Sequence, residues 1–425
     1  MNKKLLGSVA LSGLLLFGMN GCDSSNATLL DESQAIPSDI ITPYTRVAVI
    51  PDATWDNVPS IAEKIAQYVV FTDEKTELGL PSNWVIAGAN GGLDGLSGPE
   101  TWETTDLLPI PVGTNKARVI EFCNKAYATQ AIGTGRFHGS ALPCEVSVYS
   151  DGTNVYVDML DAEAIFNIFF ADAKNNFTVE ENEAFAQMAS SVKNELRVMI
   201  NAGLEDNNGK SGSASVAYTA SYDELGPQFT QEKIDNDIAL RTPYVVYKYK
   251  RVEGGAFTKG VDDKALAKSI IAALGTDIST ADKNTGLEGL SYASAWRSGR
   301  PEPIAIPNVQ VVEACSPKYA KKATALGSEY ITALPCEFTV YVDETDETNQ
   351  TMAISFLNPN FMFGTMFEGA VENAYIGGQL TKSDVIGYSS LADVVFADLR
   401  MIVDYAVQDR VSAEAQHNLN LVITE

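Results

Sequence analysis

A long stretch of this chain is written twice, and that duplication constrains the fold more than any other feature. Thr42-Pro43-Tyr44 returns as Thr242-Pro243-Tyr244, each time opening a strand-like run. Gly92-Leu93-Asp94-Gly95-Leu96-Ser97, followed by Trp102, returns as Gly286-Leu287-Glu288-Gly289-Leu290-Ser291, followed by Trp296. Cys123 returns as Cys315, each behind a β-branched run and a glutamate, Glu121 or Glu313. Ala141-Leu142-Pro143-Cys144-Glu145 returns as Ala333-Leu334-Pro335-Cys336-Glu337, and both continue to Val-Tyr. Leu196-Arg197 matches Leu399-Arg400 within helical sequence. The offsets of 200, 194, 192 and 203 keep these matches collinear, as a duplication with small insertions and deletions requires.

Within a copy the pattern runs strand, helix, Gly-rich loop, strand, short helix, two strands, then helices. Residues 58–70 and 262–274 place apolar side chains at three- and four-residue spacing, the signature of amphipathic helices. Glu145 to Tyr149 alternates polar and apolar, turns at Asp151-Gly152 and resumes from Val155 to Met159, which predicts a hairpin. The second copy has a longer, acid-rich turn at Asp343–Gln350. Residues 186–202 and 390–407 read as closing helices. The expected architecture is α+β: two similar domains at 43–203 and 243–408, each a curved, mainly antiparallel sheet with helices packed on it. A linker at 204–242 joins them, a tail follows at 409–425, and a retained two-fold contact makes a pseudo-dimer.

The chain opens with an export signal. Lys3 and Lys4 precede a mostly apolar run from Leu5 to Met19, then Gly21 and Cys22. That run is too short to read as a spanning helix, so residues 1–21 are taken as a removable signal peptide. A cysteine at the cut marks a bacterial lipoprotein, with Cys22 as the lipidated first residue, although Met19 and Asn20 depart from the usual lipobox. The alternative is an ordinary secretory signal. Residues 22–42, rich in Ser, Asn and Asp, read as a flexible tether. The expected location is the periplasmic face of a bacterial membrane, inner or outer, with a lipid anchor in that membrane. A net charge of −25 speaks against nucleic acid as a partner.

The segment Cys315-Ser316-Pro317-Lys318-Tyr319-Ala320, then Leu-Pro-Cys-x-x-x-Val-Tyr, a strand and a Phe-rich stretch, resembles the domain of unknown function 302 family. The first copy lacks the proline at Cys123-Asn124-Lys125 but keeps the Leu-Pro-Cys block. The resemblance covers roughly 43–203 and 243–408 and is most specific around the cysteines. It implies a small α+β domain with a curved antiparallel sheet that is prone to dimerise. It carries no settled activity, so no catalytic residue transfers.

Four cysteines form two pairs, Cys123/Cys144 and Cys315/Cys336, each separated by 21 positions. In an oxidising compartment such pairs become structural disulfides, and closing a loop of about 20 residues adds roughly 3 kcal/mol. Buried free thiols are one alternative, and a redox-active or metal-handling pair is another. Against the last, no Cys-x-x-Cys occurs, and His138 and His417 are the only histidines. No metal and no cofactor is expected.

The duplicated Gly-Leu-acid-Gly-Leu-Ser loops supply the ligand-binding candidates Asp94, Ser97, Trp102, Glu288, Ser291 and Trp296. The competing reading is a tight turn whose acid caps an amide while the indole fills core. Gly203 to Ser211 nearly spells a phosphate loop, but Leu204 holds the place the first glycine needs and the preceding sequence is helical. His138 has Tyr330 as its counterpart, so a Ser-His-acid hydrolase lacks support, and His138 is expected on a surface loop. Phe166, Phe169 and Phe170, with Phe361, Met362, Phe363, Met366 and Phe367, read as core, with a greasy pocket or the face joining the copies as alternatives. The functional expectation is an anchored, non-enzymatic lipoprotein binding a small apolar ligand or an envelope protein. A thiol–disulfide or metal-handling protein and an unrecognised hydrolase are the alternatives.

Overall fold

Alternating polar and apolar residues in each repeat build one antiparallel sheet, and the two sheets have the same strand order. The computed structural model describes residues 40–70, 84–90, 117–142, 144–205, 216–250, 255–274, 296, 298, 302–333, 336–407 and 421–422. The signal, Cys22 and the tether as far as residue 39 lie outside the described residues, as do Asp94, Ser97, Trp102, Glu288 and Ser291.

The first sheet contains β1 (Tyr44–Pro51), β2 (Trp84–Asn90), β3 (Ala117–Asn124), β4 (Cys144–Ser150), β5 (Asn154–Leu160), β6 (Thr219–Ala220) and β7 (Glu224–Leu225). The second contains β8 (Tyr244–Lys250), β9 (Ile304–Ile306), β10 (Val309–Ala314), β11 (Cys336–Val342), β12 (Thr351–Leu357) and β13 (Leu421–Val422). Their orders, β2-β3-β4-β5-β1-β6 and β9-β10-β11-β12-β8-β13, correspond position for position, with the edge strands drawn from different places in the repeat: β2 precedes the Gly-Leu-acid-Gly-Leu-Ser loop of its copy and β9 follows that of the other. β6 and β7 add to the first sheet from within the stretch expected to be a linker, and β13 adds to the second from the expected tail. The predicted hairpin is β4–β5, with Tyr149 opposite Tyr156. Its turn requires glycine: Gly152 has φ +97°, and a Cβ there would meet the Trp55 indole at 2.7 Å.

A strand sends alternate side chains to opposite faces, and this separates the two cores. Ile120, Phe122, Val146 and Val148 meet Ile65 of the helix Val58–Val70 and Leu196 of the helix Val179–Glu205. In the second repeat Val312, Phe338 and Val340 meet Ile270 of the helix Asp262–Leu274 and Leu399 of the helix Leu391–Val407. Gly203, the first residue of the near-match to a phosphate loop, sits in the last turns of its helix. There a Cβ would meet the Ile65 Cα at 2.9 Å, so its smallness serves helix crossing.

The opposite sheet faces turn toward the other repeat. Ala117, Val119 and Tyr149 share one apolar cluster with Cys315, Ala320 and Ile331. Reciprocal contacts show the symmetry. Ser140 bonds Thr339 at 2.8 Å, and Ser147 bonds Thr332 at 2.7 Å, the same contact with the repeats exchanged. The Tyr44 hydroxyl donates to the Met366 carbonyl at 3.4 Å, and the Tyr244 hydroxyl donates to the Phe169 carbonyl at 2.8 Å. An interface in which residue i meets j while the counterpart of j meets that of i is isologous. The pseudo-dimer is therefore built inside one compact unit, Asp39–Glu425. Phe166, Phe169 and Phe170 join Phe361, Met366 and Phe367 in a single cluster, so the Phe- and Met-rich stretches are the face joining the copies.

His138 is not on the surface. It is fully buried, with Nδ1 at 2.6 Å from Thr134 Oγ1 and Nε2 at 3.1 Å from Asp172 Oδ1. Symmetry explains the burial: His138 packs edge-on to Tyr244 at 5.3 Å just as its counterpart Tyr330 packs on Tyr44 at 5.6 Å. Polarity alone suggested exposure, but the position belongs to the joint between repeats.

Candidate functional site

The register of the two sheets gathers four glutamates where the repeats meet. Glu121 lies directly opposite Glu145 on β3 and β4, and Glu313 lies directly opposite Glu337 on β10 and β11. Like charges directly opposite one another destabilise a sheet, and all four are buried, at 0%, 4%, 2% and 3% exposure. The strongest partners of these residues lie across the interface. Burial pushes the Glu121 carboxyl well up, and the charge of Glu313 adds most after it. Burial likewise raises Glu337, followed by the charge of Glu145, and the two carboxyls share a hydrogen bond. Glu121 and Glu313 are counterparts, as are Glu145 and Glu337. A residue that pairs with its own counterpart must stand on the two-fold axis, so both carboxyl pairs straddle it. Four ionised carboxylates in a dry core are untenable, and the cluster holds protons at neutral pH.

An apolar cavity of about 80 Å³ runs to the Glu145/Glu337 pair. Its walls include Phe169, Trp296, Met362, Phe363, Met366 and Phe367. Cys315, Cys336 and Ser316 also line it, and among the described residues no Lys, Arg or His does. Of the six ligand-binding candidates, Trp296 is thus the one within the described residues, and it reaches this cavity. Its indole donates to Asp398 Oδ2 at 3.0 Å, and the Tyr319 hydroxyl donates to the same oxygen at 2.7 Å. The first repeat has the same arrangement: Trp84 donates to Glu195 at 2.6 Å and Tyr127 at 2.5 Å. By its contacts the counterpart of Trp296 is Trp84, because the closing helix offers one carboxylate per repeat to an indole and a phenol. Glu195 and Asp398 both stand immediately before the duplicated Leu-Arg, a signal the sequence carries.

All four cysteines are free thiols. Strand geometry accounts for this. Phe122 is opposite Cys144, so Cys123, one residue on, leaves the sheet on the other face. The two members of each pair pack in different clusters but stay near one another: the charge of Cys123 raises Cys144, and Cys315 and Cys336 line the same cavity. Burial pushes the Cys123 and Cys336 thiols up to about 12 and raises Cys144 and Cys315 well above the ordinary range. A protonated thiol is a poor nucleophile and a poor metal ligand, which weighs against the redox reading. We expect these four thiols to resist Ellman's reagent in the native protein, reacting at least about 100-fold slower than free cysteine. All four should react once the protein is unfolded without reductant. Failure to react after unfolding would show disulfides instead.

Among the described residues no group of three or more His, Cys, Asp or Glu side chains is disposed to hold a metal ion. Among the same residues no helix is long and apolar enough to cross a membrane. The glutamate cluster escaped the sequence reading as a site, although its signal was present: a carboxylate interrupts an apolar strand at the same position in both copies.

Comparison with known proteins finds a family match in each repeat. Residues 111–202 and 302–380 match the family described as Domain of unknown function DUF302. Each matched region contains one glutamate pair and one cysteine pair. The crystal structure of an uncharacterized conserved protein DUF302 from Bacillus stearothermophilus is similar at 13% identity, over 37% of this chain and 94% of that one, with a TM-score of 0.23. No curated protein matches the chain. Each half of the pseudo-dimer thus contains one region similar to the DUF302 family.

Proposed function

We propose that this protein is an envelope lipoprotein, held at the periplasmic face of a bacterial membrane by lipidated Cys22, that binds a small apolar ligand between its two repeats. The observation that carries the reading is the cavity at the joint, walled by aromatic and methionine side chains from both copies. Pockets of this kind, mostly apolar with a few convergent polar groups, are the usual form of small-molecule sites. The acidic charge, and a cavity lining without cationic residues among the described residues, fit a neutral or positively charged occupant better than an anion.

Two measurements test the two parts. Native mass spectrometry of protein extracted from its own membranes should show a retained small molecule. Ala141→Phe, which fills the cavity from its wall, should abolish that mass. Retention of a protein partner alone, with the cavity variant binding it equally, would replace the small-ligand reading. Replacing Cys22 with Ser should move the protein from the membrane fraction to the soluble periplasm. Unchanged fractionation would remove the anchor.

A further inference from the structure

Three polar atoms facing the cavity are left without a hydrogen-bond partner: Glu145 Oε2, Glu337 Oε1 and Ser316 Oγ. Their residues are 4%, 3% and 2% exposed, so water does not satisfy them from outside. Buried polar atoms left unpaired cost about 1–3 kcal/mol each, which makes three at one place a demand for an occupant. Each can accept a hydrogen bond. The Glu145/Glu337 pair holds its protons while the cavity is empty, and a cation bound against it would release one of them, leaving one proton in the hydrogen bond between the two carboxyls and a single negative charge. Among the described residues no cationic side chain lines the cavity to balance it.

We infer that the ligand is an organic ammonium ion with an apolar body, its head held by Glu145, Glu337 and Ser316 and its body held by the aromatic walls. An –NH3+ group offers three donors and one positive charge, matching three acceptors and one negative charge. Phe169, Trp296, Phe363 and Phe367 supply the apolar surface, and the Trp296 ring adds attraction for a cation. A divalent metal is the less suitable cation, because the carboxyl groups do not converge as a set of three or more. A carboxylate head is the wrong sign, because it would add a further buried negative charge beside acids that burial already keeps protonated. The inference rests on the proposed apolar pocket and specifies what that pocket selects.

Three probes of the same shape and different head charge test it: benzylamine, benzyl alcohol and benzoate, titrated calorimetrically into the full-length protein. Benzylamine should bind at least tenfold more tightly than benzyl alcohol, and benzoate should not bind. Glu145→Gln combined with Glu337→Gln should bring benzylamine down to the affinity of benzyl alcohol and leave the alcohol unchanged. Ser316→Ala should weaken benzylamine several-fold, and it keeps the test alive if the double variant fails to fold. Equal binding of the amine and the alcohol by the unaltered protein would overturn the ammonium head while leaving the apolar pocket standing. Binding of none of the three would overturn both. Displacement of benzylamine by stoichiometric Mn²⁺ or Zn²⁺ would overturn it in favour of a metal site.

Discussion

Raising the pH from about 5 to about 8 is expected to lower the melting temperature steadily, because the glutamate cluster is protonated when folded. In the unfolded chain Glu121, Glu145 and Glu337 ionise near the ordinary carboxyl value; burial and mutual repulsion hold them well above it in the fold. A raised carboxyl contributes stability that is fully present below its unfolded value and is lost as pH rises toward its folded value. Between those limits each such group costs about 1.4 kcal/mol per pH unit. Groups such as Asp343 and Glu344 work in the opposite direction. Against the desolvation that pushes them up, hydrogen bonds and cations hold buried Asp343 and exposed Glu344 below the usual range, and their contribution is lost only in acid. The profile should therefore peak near pH 5. Glu337→Gln keeps a donor toward Glu145 without a titrating proton, so it should flatten the alkaline limb and stabilise the protein at pH 8 by more than about 1 kcal/mol. Thermal denaturation followed by circular dichroism across this range decides it. A flat or rising profile in the unaltered protein would mean that the carboxyls are ionised and compensated.

The second large effect belongs to Phe361. It is fully buried and meets Phe169 of the other repeat edge-on, with ring centroids 5.7 Å apart. Truncation to alanine removes a ring from a joint built of both copies and should cost about 3–5 kcal/mol. Because that ring belongs to a core shared between repeats, the loss should appear in one cooperative denaturant transition, with no separate unfolding of either half. Val179→Ala, at 70% exposure, is the control and should stay within about 0.5 kcal/mol. A variant of Phe361 as stable as this control would show that the two cores are independent.

The local elements were legible in the chain because their causes are local. Three- and four-residue spacing marked the helix Val58–Val70, and Asp151-Gly152 marked the β4–β5 turn through the positive φ that glycine permits. Duplication then predicted that the sheets would agree, and they do. What escaped reading was set by register across distant parts of the chain. Nothing near Glu145 in sequence announces Glu337, and nothing near His138 announces the ring of Tyr244. Trp84 was passed over for the same reason, since the acid it binds lies on a helix more than a hundred residues away.

The joint between repeats sets four acids on one axis, a burden that two separate molecules would have to bear at every encounter. Here both partners are covalently continuous, so their contact is an intramolecular event governed by a fixed effective concentration. Dilution cannot part them, and a contact too weak to hold a free dimer together persists. Gene fusion would in this way have relaxed the affinity that the halves need for each other, leaving their shared centre open to groups that a bimolecular interface would have eliminated.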